Sequence, residues 1–224
     1  MIRRGFRSSS VGQPAENPHP KLCALLQMGD GINEPQGLGR HTSSGITGTV
    51  VEGAFPGSYA RRYSGSGGHT LIRESTTATN YREAPWTAMF FIRFVSSPFE
   101  AWLFLSPNTG RPGIRIKNSE IIFATYETYY TTYAKASVSL STNTWYHVAI
   151  SCGSSSGQWK MWLNGTPLSL SINGSAMPLG YTTGTEVYLV YLTGSYTVDI
   201  DHVKVYEGQL SDAEVVVEMN KKVW

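Results

Sequence analysis

The residues in this sequence that could do chemistry are few and easily located. Asp199 and Asp201 stand two apart in the run TVDIDHV. On an extended strand, side chains two apart share a face, so both carboxylates point the same way. Two carboxylates on one face are the minimum for cleaving a glycosidic bond, one as nucleophile or base and one as acid. No third carboxylate follows at a useful spacing. The five histidines, His19, His41, His69, His147 and His202, lie in no nucleophile-elbow context, and Cys23 has no motif around it. Gly65-Ser66-Gly67-Gly68 is glycine-rich, but no helix signal follows it, so it reads as a turn rather than a phosphate cradle. A second kind of chemistry is binding. Tyr126, Tyr129, Tyr130 and Tyr133 cluster in one short segment. Flat phenol rings stack on sugar faces and their hydroxyls add hydrogen bonds, and the same rings equally cover a sheet face or make protein contacts. Trp86, Trp102 and Trp162 read as core or rim.

The elements that must position these residues are strands. The chain has 224 residues, 15% of them charged, and is rich in Gly, Ser, Thr and Tyr. This favours many short strands and turns in one large domain. From Trp145 to Cys152 the residues Tyr146, Val148, Ile150 and Cys152 fall on one face, and His147, Ala149 and Ser151 on the other. After a Gly/Ser turn, Trp159, Met161 and Leu163 alternate with Lys160 and Trp162. Such alternation between turns predicts a half-buried antiparallel pair. Asn164-Gly165 supplies the two positive-φ residues of a tight type I′ hairpin, and Thr166 to Leu170 is expected to run back along the preceding strand. Thr87 to Val95 is almost continuously apolar, which predicts a central strand covered on both faces. Ala101 to Ser106 is expected to pair with it across Ser96-Ser97-Pro98. Ile114 to Lys117 and Glu120 to Thr125 form a hairpin around Asn118-Ser119. Thr185 to Leu192 and Val198 to Tyr206 form another, closed around Gly194-Ser195. The one helix signal is Asp212 to Met219, with Ser211 as N-cap and Glu214 completing a capping box.

Two of these stretches carry a family resemblance. WYHVAIS, a turn, and a strand ending in LNGTPL resemble the central hairpin of laminin-G-like, concanavalin A-like jelly rolls. IDHVKVYEGQLSDAEV, Ile200 to Val215, is similar to that family's closing strand and short helix. LCALLQMGDG resembles its first strand and loop, and Gly57 to Leu71 its second strand region. The resemblance implies an all-β, two-sheet antiparallel jelly-roll sandwich of residues 21–224, with one short C-terminal helix. Glucanases on this scaffold carry a Glu-x-Asp-x-x-Glu stretch, which this chain lacks, so no enzyme is expected. Some relatives hold Ca²⁺ near the first loop and the closing strand, where Asp30 and Asp201 are the matching positions. Calcium prefers six to eight oxygens with several carboxylates, and the whole chain has four aspartates. No cofactor is therefore expected.

Residues 1–20 differ from the rest. The segment 1–21 holds four cations (Arg3, Arg4, Arg7, Lys21) against Glu16, a net of +3; the whole chain is +2, so the remainder carries −1. A Pro/Ser/Arg segment of this kind makes no core of its own. It is expected to act as an assembly arm, through Arg3, Arg4, Phe6 and Arg7, lying across neighbouring subunits. No signal-peptide pattern and no run of about 18 apolar residues is present, so a product made in the cytoplasm without a membrane span is expected. Cys23 and Cys152 read as buried thiols. The weakly acidic body makes nucleic acid an improbable partner. These features together suggest a non-enzymatic virion structural protein. The form expected is a bacteriophage capsid decoration (cement) or other head or tail component, homo-oligomeric and bound to a major capsid or tail protein. The alternative is a lectin-like module that recognises a cell-surface glycan through Tyr126 to Tyr133.

Overall fold

The computed structural model describes residues 22–26, 41–44, 48–74, 85–97, 99–105, 112–125, 133–153, 158–174 and 186–221. In chain order the strands are β1 (Leu22–Leu26), β2 (His41–Ser44), β3 (Thr49–Glu52), β4 (Tyr59–Glu74), β5 (Trp86–Phe94), β6 (Glu100–Leu105), β7 (Pro112–Lys117), β8 (Glu120–Thr125), β9 (Tyr133–Ser137), β10 (Trp145–Cys152), β11 (Lys160–Leu163), β12 (Thr166–Pro167), β13 (Ser171–Asn173) and β14 (Glu186–Glu207). One helix, α1 (Asp212–Asn220), follows.

All pairings are antiparallel, and two long strands join the layers into a sandwich. The first sheet runs β12-β11-β10-β5-β14, continues through the first half of β4 to β3, and has β1 beside the end of β14. The second runs β13-β9-β8-β7-β6 to the first half of β14, and on through the second half of β4 to β2. Alternate residues of the two sheets meet in one core that includes Phe90, Ile92, Val148, Ile150 and Ile200 on one side and Leu103, Ile114, Ile116, Ile121 and Phe123 on the other. This is the jelly-roll sandwich expected from the sequence.

Local pattern and structure agree closely in the middle of the chain. β10 spans the expected residues, and Tyr146, Val148, Ile150 and Cys152 enter the core with Trp159 and Met161. Asn164 (φ 51°) and Gly165 (φ 75°) both adopt left-handed backbone, and Leu163 pairs directly with Thr166. That is the two-residue turn whose twist matches its strands. The return strand is shorter than expected. Only Thr166 and Pro167 pair with β11, followed by a bond from Leu168 N to Met161 O of 2.8 Å. The β7–β8 hairpin forms around Asn118-Ser119. β5 lies between β10 and β14 and is covered on both faces.

Three expectations are corrected. β6 does not pair with β5: after Phe94 the chain crosses to the other sheet, where β6 lies between β14 and β7. Residues 185–206 make no hairpin: β14 runs straight through Gly194 and Ser195. Its register against β4 shifts between Leu192 and Tyr196, opposite Gly67 (φ 106°) and Gly65 (φ 92°). Glycines here permit a paired bend by which both strands pass from one sheet to the other, which is how sandwich corners are turned. For the same reason the region Gly57 to Leu71, likened above to the family's second strand region, is carried mostly by one long strand, β4, which spans both sheets. Finally, β10 is buried on both faces rather than half-buried, and of the outer residues of β11 Lys160 is exposed while Trp162 is buried. His147, Ala149, Ser151 and Trp162 are all buried on the outer side.

What covers that outer face is α1. Ser211 Oγ accepts from Glu214 N (3.2 Å) and Glu214 Oε2 from Ser211 N (2.7 Å), the expected capping box. Val215 packs with Met89, Ala149, Trp162, Tyr206 and Leu210 in a second apolar cluster, and Trp162 Nε1 donates to Asp212 Oδ1 at 3.2 Å. The helix end is tied by polar groups. Lys204 Nζ donates to Glu218 O (2.7 Å) and Tyr206 OH to Glu218 Oε2 (2.8 Å). Lys204 thereby satisfies a terminal helix carbonyl that would otherwise lack a partner. No helix among the described residues is long and apolar enough to cross a membrane. Cys152 is a buried free thiol. The side chain of Cys23, the tail residue Trp224 and the arm 1–20 with Arg3, Arg4, Phe6 and Arg7 lie outside the described residues. Because Trp162 is the largest side chain under α1, Trp162→Ala should destabilise the fold by about 3–5 kcal/mol in urea unfolding, with loss of the helical far-UV signal preceding loss of the strand signal.

Candidate functional site

Asp199 and Asp201 do share a face, the outer face of the first sheet, as the two-residue period requires. The register sets Asp199 in a row across five strands. Trp145 pairs with Arg93, Arg93 with Asp199, Asp199 with Arg62, and Arg62 with Thr49. Directly paired residues point to the same side, so all five side chains are neighbours in line. Asp199 has a fully buried side chain, while those of Arg62 and Arg93 are 35% and 22% exposed. Arg62 donates from Nε to Asp199 Oδ1 (2.8 Å) and from Nη2 to Oδ2 (3.0 Å), a two-pronged fork. Arg93 donates from Nε to Oδ2 at 2.8 Å and its guanidinium sits 4.6 Å from the Trp145 ring centroid. The hydrogen bond to Asp199 raises the Arg62 pKa further above its already high ordinary value. One step along the same face, Ser64 and Thr197 face each other with hydroxyls 3.2 Å apart.

Asp201 is held differently. Its Oδ2 accepts from Ala54 N (2.9 Å) and Ser58 Oγ (3.0 Å), and its Oδ1 lies 2.6 Å from His202 Nδ1. His202 is the extra residue of a bulge, with φ 45°, and it restores the alternation so that Val203 and Val205 return to the core while Lys204 and Tyr206 stay outside. Phe55 packs edge-on against Phe91 (4.9 Å) and His202 (5.3 Å). The loop 53–58 is thus clamped to the sheet through one carboxylate.

Neither carboxylate is placed for hydrolysis. Both oxygens of Asp199 accept guanidinium N–H groups and the side chain is out of reach of a sugar bond. Asp201 is 1% exposed and engaged at both oxygens. Asp201 does not fit a calcium site either, since its oxygens are already taken by an amide, a hydroxyl and an imidazole. Its expected co-ligand Asp30 lies outside the described residues, among which no group of three or more His, Cys, Asp or Glu could hold a metal ion. Of the tyrosine cluster, Tyr126, Tyr129 and Tyr130 also lie outside the described residues. Tyr133 is half-buried at the start of β9, with Lys135 Nζ 5.4 Å from its ring centroid. Arg62, Arg93 and Trp145 did not stand out in the sequence. Their only signal was polar alternation within strands whose partners lie far away in the chain.

His147 is structural, as its place in the strand pattern implied. It is 2% exposed, its ring lies 5.0 Å from that of Phe91, and its Nδ1 has no hydrogen-bond partner.

The chain belongs to the concanavalin A-like lectin/glucanases superfamily: the laminin-G-type model of that superfamily matches residues 64–216, more than half the chain. No curated protein matches the sequence. Among solved structures it is similar to the binding domain of botulinum neurotoxin DC in complex with rat synaptotagmin II (13% identity, TM-score 0.64, covering 89% of this chain and 51% of that one). It is similar also to the binding domain of Paraclostridial Mosquitocidal Protein 1 (14%, TM-score 0.65, 89% and 52%). A third is from a study of botulinum neurotoxin type C, whose cell entry depends on interaction with two ganglioside molecules (13%, TM-score 0.61, 89% and 51%). The chain spans about half the length of these domains, and at such identities the likeness is one of fold.

The buried outer face makes stability depend on pH. Burial, with the nearby Lys204 charge, pushes the His147 pKa from 6.5 down to about 3. Below pH 6.5 the unfolded chain therefore binds a proton that the folded chain refuses, and stability falls as pH drops. Burial alone would raise the Glu218 pKa. Hydrogen bonds from Lys221 and Tyr206 and the charges of Lys204 and Lys221 outweigh it and hold the pKa below 4.5, so its contribution is lost only at lower pH. Between pH 7 and pH 5 the His147 part of the loss should be about 2 kcal/mol. Urea titrations at the two pH values measure it, and His147→Leu should remove that difference.

Proposed function

We propose that this chain is a non-catalytic recognition module that binds a surface carbohydrate. The observation that carries this reading is the row Thr49–Arg62–Asp199–Arg93–Trp145 on the outer face of the first sheet, with the Ser64 and Thr197 hydroxyls beside it. It combines hydroxyls, anchored guanidinium groups and an indole, the groups that hold sugar hydroxyls and stack on sugar rings. Rigid neighbours hold these side chains in place, so little ordering is left to oppose binding. Family membership supports the reading, as does the occurrence of binding domains among the solved structures of similar fold, including ones described with gangliosides or a protein receptor. The scaffold alone would not decide between them. The tyrosine segment Tyr126, Tyr129, Tyr130 and Tyr133 is a second contact surface under the same reading.

A virion role is the second reading, and it rests on one observation, the net +3 charge of residues 1–21 against a body of net −1. Under it the arm, through Arg3, Arg4, Phe6 and Arg7, ties the domain to capsid or tail subunits, and the sandwich is displayed outward. Many weak arm contacts would add up by multivalency. The two readings are compatible and separable. On a glycan array, Trp145→Ala and the pair Tyr129→Ala/Tyr130→Ala should weaken binding by about tenfold or more, while removal of residues 1–20 leaves it unchanged. That same removal should abolish co-sedimentation with particles if the arm is an assembly device. An array on which the full-length chain retains no glycan would sink the carbohydrate reading.

A further inference from the structure

The pairing of two arginines with one carboxylate leaves an excess that the fold does not use. A single guanidinium neutralises Asp199, and the Arg62 fork already engages both of its oxygens. Arg93 adds a second full charge to the same buried group, at 2.7 Å from Nη2 to Oδ2. The strip therefore carries a net positive charge, on side chains that are 35% and 22% exposed, although residues 22–224 together carry a net charge of −1. Each guanidinium has five N–H donors. Arg62 spends Nε and Nη2 on Asp199. Arg93 spends Nε and Nη2 there and reaches Glu52 O with Nη2 at 3.5 Å. The Nη1 group of each has no partner among the described residues. Glu52 itself does not offset the charge from this face, because strand alternation puts it on the side of β3 opposite Thr49.

We infer that the Arg62–Arg93 pair is the anion-binding subsite of this surface, taking the carboxylate of an acidic sugar (a sialic or uronic acid) carried in an oligosaccharide whose successive rings lie along the strip between Trp145 and Thr49, beside Ser64 and Thr197. The inference rests on the carbohydrate reading above and names its ligand class. The geometry matches on three counts. Guanidinium groups pair with carboxylates through parallel N–H bonds. Both are already anchored by Asp199, so they lose little freedom on binding. The hydroxyls and the indole lie within the same two cross-strand rows, where the neighbouring rings of an acidic oligosaccharide would rest. A neutral sugar would leave the excess charge uncompensated.

The test is a calorimetric titration of the full chain with sialyllactose and a hyaluronan tetrasaccharide, against lactose as neutral counterpart, at two salt concentrations. At least one acidic ligand should bind about tenfold tighter than lactose, with the advantage shrinking at high salt. Arg62→Gln should erase most of that advantage, and Arg62→Lys should recover part of it, because Lys keeps the charge but lacks the fork. Arg93 remains on Asp199 in both variants, and thermal unfolding checks that they fold. If Arg62→Gln does not fold, Thr49→Val, which lies outside the ion pair, should still weaken acidic-sugar binding by a few-fold through the lost hydroxyl. Equal binding of lactose and the acidic ligands, unmoved by these substitutions, overturns the subsite and leaves the carbohydrate reading standing. Binding of no glycan on a broad array overturns both.

Discussion

The structure hangs on β14. Its first half pairs with β6 in the second sheet and its second half with β5 in the first, while β4 follows it along both. One strand therefore supplies core residues to both layers, from Leu189 and Val190 through Val198 and Ile200 to Val203 and Val205. It also presents Asp199, Asp201, Lys204 and Tyr206 on the outer face. Burying a strand on two faces and pairing it on two edges removes more apolar surface and satisfies more backbone groups than any local hairpin would. The bend at Gly194 and the bulge at His202 are what this continuity demands. The first carries the strand between sheets, and the second resets the alternation so that the valines return inward.

A strand buried on both faces has a cost when its outer residues are polar, and each such group here is answered by a specific partner. Asp199 is answered by two arginines, Asp201 by the 53–58 loop and His202, and Lys204 by the end of α1 together with Glu218 at 3.8 Å. Breaking a buried pair costs more than forming it gains. These groups therefore act more as specificity devices that seat the loop and the helix in one position than as sources of net stability. His147 is the exception, a buried imidazole with an orphan nitrogen, and it is where acid should first loosen the packing of the helix on its sheet.

The same architecture leaves part of the outer face of the first sheet open. Half of the outer face of the first sheet is closed by α1 and the 53–58 loop, and the remaining strip, from Thr49 to Trp145, is half-open and polar. The carboxylates that suggested hydrolysis are turned into structural anchors, and their partners, the arginines, become the groups that face outward.

Much of the architecture was legible in the sequence wherever the determining contacts are local. The β10–β11 hairpin, the Asn164-Gly165 turn that follows it into β12, the β7–β8 hairpin, the apolar run of β5 and the Ser211–Glu214 capping box all follow from periodicity, positive-φ residues and neighbours a few positions apart. So did the shared face of Asp199 and Asp201. Tertiary structure decided the rest. Gly194-Ser195 looks like a turn in isolation, and only the matching glycines of β4 on the paired strand make it a bend. Alternation puts Trp162 on the outer face of β11, and only α1 makes that position part of a core. The candidate site is of this second kind, since Arg62 and Arg93 meet Asp199 from 137 and 106 residues away. Strand register over such separations is set by the packing of the whole sandwich. The alternation of each strand fixes which side a residue faces, and only the folded sheet fixes what stands beside it.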